Sequence, residues 1–414
     1  MKSDPVEIKF ISAQNCPEYI DIKLPPEGLL IKELTITAIN FLTLVAEHTG
    51  YQINIIRIGD KIKICSTNLV KILREAASTA SKLMDLKMRP NVRWPRLHTN
   101  DKGTLKKSKI VGSIISNIET YGDLAKVFIK DLSNLANSTL NVYVERNKIS
   151  LLGGGGRFSM LQLFKTELYE NALTFQEPYN RDLSIEIDDK WLTLILLGYA
   201  LSHINYSGAS LELMSTYDLY SGSIVKIYLS MNILNILENL TTQPMIVSII
   251  QNHILIRRLL TNEYRKFIES ELLMKYNLRE EFSTLFKVDE GILSDLMRRP
   301  PIIRIHRIGF EGRTFTEISR EDIVINDALL RFLMDLDDDC VERFFRLSRR
   351  ALNADDPKIV NMLTYIYEAI NKAKDPAFVS YYVARTIAEE ESYQRIITSR
   401  CISSIIKGLT GWKL

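Results

Sequence analysis

The chain has 414 residues, more than one hydrophobic core usually serves, so two or three folding units are expected. Its 53 basic and 50 acidic residues leave a net charge of only +3, which excludes a general cationic attraction to nucleic acid and confines any such binding to local patches. Hydrophobic residues at 46% and charged residues at 25%, with 18 Tyr and 15 Phe, exclude a disordered chain.

In chain order, the opening Met-Lys-Ser-Asp-Pro-Val-Glu lacks the apolar core of a signal peptide. Residues 6–11 read as a strand and 33–48 as an apolar helix ended by Gly50. Alternation over 53–58 and 61–64, around Gly59-Asp60, predicts a β-hairpin. Residues 68–86 read as a helix, a basic loop runs from Arg89 to Lys109, and 109–137 reads as a long helix or a broken pair. A second hairpin is expected from 139–144 and 148–152, turning at Arg146-Asn147. Four glycines, Gly153 to Gly156, come next, then a helix near Ser159, where Ser159 and Gln162 match a capping box.

Beyond 185 the signals mix. Residues 191–203 have helical length, 209–216 and 223–229 look like strands, and 244–276 reads as helices. The longest charge-free stretch, Trp191 to Leu211, contains His203, Asn205, Tyr206 and Ser207, so it reads as a buried helix plus a turn and not as a membrane span. Pro300-Pro301 breaks the chain, after which 302–308 alternates as a strand with 313–318 as its partner. The β signals then vanish. Helices are expected over 328–336 and 341–352, after Asp356-Pro357 and Asp375-Pro376, and around Ile396 to Leu409. The expected fold class is α+β: a mixed α/β body with β-hairpins over 1–325, a possible sub-boundary near 150–158, and a C-terminal helical bundle over 326–414.

The basic segment gathers Arg89, Arg93, Arg96, Lys102, Lys106, Lys107 and Lys109 against one acid, Asp101. Cations collected on a loop are the electrostatic footprint of phosphate contact; the alternative is a solvated surface loop. Trp94 could stack on an unpaired base or pack the loop onto the body. Exposed amides of the glycine run, Gly154 and Gly155 among them, and the adjoining Arg157 could approach a nucleic-acid backbone, although neither a dinucleotide fingerprint nor a Walker loop is completed. Arg298, Arg299 and Arg304 begin a second cluster, in which alternation puts Arg304 and His306 on one strand face and Arg307 on the other. Arg343, Arg346 and Arg350 keep helical spacing with Phe344, Leu347 and Ala351 behind them, positioned for phosphates or for the acids Asp335, Asp337, Asp338 and Asp339.

No catalytic constellation is written in the five scattered histidines, so no enzyme activity, metal or cofactor is expected. Two stretches fit the Arg-x4-6-His spacing of one class of ribonucleases, Arg93 to His98 and Arg299 to His306, but both contain proline where that motif needs a helix. A ribonuclease of a defence system is the alternative to a binding subunit, and a scaffold that touches only proteins is a third. The four cysteines, Cys16, Cys65, Cys340 and Cys401, form no Cys-x-x-Cys pair and are expected as small buried residues in a reducing cytoplasm.

The run Glu342-Arg-Phe-Phe-Arg-Leu-Ser-Arg-Arg-Ala-Leu-Asn, followed by Asn361-Met-Leu-Thr-Tyr-Ile-Tyr-Glu-Ala-Ile, resembles the C-terminal bundle of the large subunit of archaeal type I-A CRISPR effector (Cascade) complexes. The strand at 302–308 leading into Arg313-Thr-Phe-Thr-Glu-Ile is similar to that family as well. The resemblance implies a non-catalytic subunit that binds target DNA, probes the motif adjacent to the target and assists strand separation for guide-RNA pairing. It implies as partners the guide-RNA ribonucleoprotein, other effector subunits and a recruited helicase-nuclease, with no membrane.

Overall fold

The computed structural model describes residues 16–88, 93–145, 148–166, 184–238, 301–311, 314–324, nine positions between 332 and 347, 357–389 and 391–410. The expected elements at 6–11 and 244–276, and the turn at Arg146-Asn147, lie outside these residues. The chain is α+β, and it divides into two compact units: Met1–Val225 with Ile303–Asp322, and Lys226–Ile302 with Ile323–Leu414.

The first unit is built on a seven-stranded sheet in the order β2-β3-β1-β4-β5-β7-β6. Its strands are β1 (Glu18–Lys23), β2 (Asn54–Ile58), β3 (Lys61–Ser66), β4 (Ser138–Glu145), β5 (Lys148–Leu152), β6 (Arg157–Ser159) and β7 (Ser184–Asp188). Alternation dictates the buried face: Ile20 and Ile22, Ile62 and Ile64, Leu140 and Val142, Ile149 and Leu151, and Ile185 and Ile187 are all buried. Both sequence hairpins form, with Ile58 opposite Lys61 and Glu145 opposite Lys148. The strand β1 lies antiparallel to β3 and parallel to β4.

Helices α1 (Leu30–Thr49), α2 (Leu69–Lys87), α3 (Thr99–Leu105), α4 (Tyr121–Lys130) and α5 (Asp189–Ser202) belong to the same unit. Every residue of α5 except Lys190 is buried, as expected of a helix apolar all round. Gly198 of α5 meets α1 backbone to backbone; a Cβ there would lie 1.9 Å from the Leu34 carbonyl oxygen. The end of α1 is set by Gly50, whose φ of +72° suits glycine and whose amide returns to Ala46 and Glu47. Lys87 caps the C-terminal end of α5: its buried ammonium donates to the carbonyls of Ala200 (3.0 Å), Leu201 (2.9 Å) and His203 (2.7 Å). Burial pushes the Lys87 pKa well below its ordinary value.

A second sheet has the order β11-β10-β9-β8, from β8 (His203–Tyr206), β9 (Ser210–Thr216), β10 (Ile302–Glu311) and β11 (Thr314–Val324). Asn40 of α1 pins the turn after β9. Its Nδ2 donates to Thr216 Oγ1 (2.9 Å) and the Asp218 carbonyl (2.8 Å), and its Oδ1 accepts the Tyr220 amide (2.9 Å).

The C-terminal part of the second unit holds helices α7 (Pro357–Ile370), α8 (Pro376–Glu389), α9 (Glu391–Gln394) and α10 (Ser399–Thr410). The expected stripe of Ile359, Leu363, Ile366 and Ile370 is buried. Among the described residues after Val324 there is no strand.

Three expectations are corrected. Residues 223–229 are not a strand but lie in helix α6 (Gly222–Glu238), because their β-branched and aromatic run continues as a longer apolar helix. The capping-box signal at Ser159 starts no helix: Arg157–Ser159 pairs antiparallel with β7, and the chain then makes a 3-10 turn at Gln162–Phe164. The cysteines are not free thiols, since Cys16 is bonded to Cys65 and Cys340 to Cys401. Residues 109–137 resolve the open choice as a broken path of 3-10 turns at Ile115–Asn117 and Leu132–Leu135 on either side of α4. Among the described residues no helix is long and apolar enough to cross a membrane.

Candidate nucleic-acid interface

The basic segment is mostly ordered by its uncharged residues. Over Arg93–His98 the chain is extended: Leu97 donates to the Glu119 carbonyl (2.8 Å), Tyr121 to the Pro95 carbonyl (3.1 Å), and Arg96 bridges to Thr120. Trp94 and Leu97 turn inward while Arg93 and Arg96 stay exposed. His98 then N-caps α3, its Nδ1 accepting the Asn100 amide at 3.2 Å.

Three buried aspartates anchor the lysine-rich half of the segment and the glycine run. Asp101, the one acid of the basic segment, is 1% exposed; it accepts the Tyr121 hydroxyl and, at 3.1 Å, the Gln162 amide. Burial raises its pKa, against the lowering effect of those hydrogen bonds. Asp189, in the first turn of α5, accepts the Ser108 hydroxyl and the Lys109 amide (3.0 Å). Asp188 accepts the amides of Gly153 and Gly154, the latter at 2.7 Å, and with its other oxygen caps α5 through Trp191 (3.1 Å). Gly154 takes a φ of +103°, which a side chain rarely adopts. At Gly156 a Cβ would come within 2.5 Å of the Lys107 carbonyl oxygen, so the glycine run and the lysine run are in direct contact.

The result is a patch assembled from two sequence segments. Lys106, Lys107, Lys109 and Arg157 are exposed and Lys102 is half-buried, and with Arg93 and Arg96 none of them makes an ion pair among the described residues. The carboxylates of Asp101, Asp188 and Asp189 are turned into the interior, which leaves these surface cations without an offsetting carboxylate among the described residues. Glu119 is exposed beside the Arg96–Thr120 bridge, and half-buried Asp123 accepts from Thr120.

Several expected contacts are placed elsewhere. The amides of Gly153 and Gly154 already hold a carboxylate, so the glycine run is not an open phosphate cradle at those positions. Trp94 is 7% exposed, stacked on His203 with ring centroids 3.7 Å apart and bonded through Nε1 to the Lys87 carbonyl (2.9 Å). Its packing role holds, and base stacking on the ring is not available. Arg304 is spent internally: it donates to Glu33 at 2.6 Å and Asp322 at 2.7 Å, and lies over the Tyr217 ring. Arg343 pairs with Asp339 (2.7 Å), the alternative that the upstream acids offered, and Arg346 is exposed in the same helical stretch. Arg89, Arg298, Arg299 and Arg350 lie outside the described residues.

Around Arg304 sits a charge network invisible to motif scanning. His306, fully buried, is flanked by Glu33 at Nε2 (2.7 Å) and Glu317 at Nδ1 (2.6 Å), with Arg320 on Glu317. Burial alone would lower the His306 pKa, but Glu317 and Glu33 outweigh it and raise it to about 9. Burial would likewise raise Glu33, yet His306 and Arg304 bring it down to about 2. Ser215 lies 3.1 Å from His306 Nε2, an arrangement that outwardly matches a nucleophile, base and acid. It cannot act as one. The imidazole sits between two carboxylates that favour its protonated form, Ser215 is buried and its hydroxyl donates to Glu33 at 2.8 Å. The Arg299–His306 stretch therefore offers no reachable histidine.

Sequence reading missed an open groove of about 670 Å³ on one flank of the basic segment. The segment Arg93–Thr99 lines it together with Tyr206, Gly208, Phe310 and Phe315. The two phenylalanines, near the facing ends of β10 and β11, lie 4.9 Å apart. Those strand-end aromatics are distant in sequence from Arg93, and no spacing rule links them.

No protein-family model matches this chain, and no curated protein matches it significantly.

Proposed function

We propose that this protein grips nucleic acid without cutting it. The observation that carries the reading is the inward turn of Asp101, Asp188 and Asp189 beneath a surface of Lys106, Lys107, Lys109 and Arg157 that has no ion-pair partners among the described residues. Such a surface gains from releasing the counterions of a phosphate backbone. The finer role is the one implied by the resemblance of residues 342–353 and 361–370: the large subunit of a type I-A CRISPR effector, binding target DNA and assisting strand separation for the guide-RNA ribonucleoprotein. We place that role in a cytoplasm that tolerates two disulfides, as the interiors of hyperthermophiles do.

One observation favours a second reading, phosphodiester cleavage: Arg93 and His98 line the same groove. Against it, His98 has one ring nitrogen engaged as a helix cap, and acid–base cleavage needs both a base and an acid at the reacting centre. The test is incubation of the purified protein with end-labelled RNA and duplex DNA at low salt. Retention of intact nucleic acid supports the grip; cleavage lost in His98→Ala would replace it with the nuclease.

A further inference from the structure

The groove and the lysine surface draw on one segment of the sequence. Arg93, Arg96 and His98 are groove residues, and Lys102, Lys106, Lys107 and Lys109 come directly after them. We infer that the groove receives one unpaired nucleotide of a bound strand, its base against Tyr206 and Phe310 and its phosphate toward Arg93 and Arg96. The inference rests on the nucleic-acid reading above and specifies which form of nucleic acid is held.

Three features select this occupant. The volume, about 670 Å³, lies within the range of small-ligand sites and is far too small for a duplex. Its walls are aromatic, and every base presents a face that stacks on an aromatic ring whatever the sequence. Phe310 and Tyr206 are partly exposed, whereas Phe315 and Trp94 are buried, so the first pair is available to a base. Two of the lining residues are exposed cations: Arg93 and Arg96 are unpaired among the described residues, which suits a planar, bidentate acceptor such as phosphate. A neutral peptide would leave both guanidiniums unanswered. A strand lying in the groove would continue onto the lysines, so one base and several phosphates would be held together.

The structure of the groove is compatible with a deoxyribose or a ribose strand, and the measurement separates them. Fluorescence anisotropy would be recorded on the full chain with a labelled single-stranded DNA, the same sequence as RNA, and the matched DNA duplex, with adenosine monophosphate as a competitor. Tyr206→Ala/Phe310→Ala is expected to weaken single-strand binding by about five- to a hundredfold while leaving duplex binding within about twofold. Because aromatic truncation can loosen the second sheet, Arg93→Gln/Arg96→Gln serves as a second variant that touches only exposed side chains. It should reduce single-strand affinity and abolish competition by the mononucleotide. Single-strand binding that neither double variant weakens, in a protein that binds DNA, would overturn the inference and leave the parent reading standing. Wild-type protein that binds no strand and no duplex would remove the parent reading, while binding of the mononucleotide alone would preserve the groove without it.

Discussion

The backbone of Gly156 lies so close to the carbonyl oxygen of Lys107 that a Cβ would approach it to 2.5 Å. Two segments that the sequence separates by about fifty positions thus share one surface, and Asp189 is the clamp between them. Asp189→Ala removes the acceptor of both the Ser108 hydroxyl and the Lys109 amide. The expected cost is about 1–3 kcal/mol, read as a lower urea midpoint at unchanged slope. DNA affinity should fall as well, although every lysine is retained. A variant with the wild-type midpoint would show that the clamp contributes nothing.

Stability should depend on pH at both ends through the buried His306–Glu33 pair. His306 binds its proton more tightly in the folded state, at about 9, than an ordinary histidine does. Its contribution is therefore complete below about pH 6.5 and is lost as pH rises through 9. Glu33, held at about 2, contributes fully above about pH 4.5 and is lost as pH falls toward 2. The loss is of order 3 kcal/mol at either end, shared by the pair and not summed over it. Urea melts from pH 3 to 10 check this. In His306→Asn the decline between pH 7 and 10 should disappear from an already lower plateau.

The contact of α1 with α5 admits no side chain at Gly198, where a Cβ would strike the Leu34 carbonyl oxygen at 1.9 Å. Backbone cannot yield as a flexible side chain does. Gly198→Ala is expected to cost about 3 kcal/mol or more, although alanine is the better helix former by about 1 kcal/mol. A thermal melt that rose instead would contradict the packing of these two helices.

Cys16–Cys65 and Cys340–Cys401 make a countable claim. Iodoacetamide applied to denatured, unreduced protein should modify none of the 4 cysteines, and after reduction all 4, as read by intact mass. Cys340→Ser/Cys401→Ser should lose about 2–4 kcal/mol of stability. Free thiols in the unreduced sample would restore the reading of a reduced protein.

Local pattern carried much of the fold. Alternation on either side of Gly59-Asp60 placed the first hairpin, and parity along 302–308 put Arg304 and His306 on one face, where both now meet Glu33. Where local signals failed, tertiary pairing had overridden them. Ser159 and Gln162 look like a helix start, yet Arg157–Ser159 finds ladder partners in β7. The run at 223–229 has strand composition within a helix too long for a seven-residue window to reveal. Cationic clustering was readable as charge, but its fate was not. Lys107 and Arg304 look alike in sequence; one is exposed and the other is tied to Glu33 and Asp322. That difference depends on acids up to 271 positions away, which no spacing argument reaches.

The lysine surface is probed by the salt dependence of duplex DNA binding by the wild type and by Lys106→Ala/Lys107→Ala/Lys109→Ala, with thermal melting to confirm that the variant stays folded. Binding by the variant should be weaker, with a slope of log affinity against log salt that is shallower by about two to three. Equal affinities and equal slopes across the salt range would show that these lysines do not meet phosphates, and would contradict the assignment of this surface to nucleic acid.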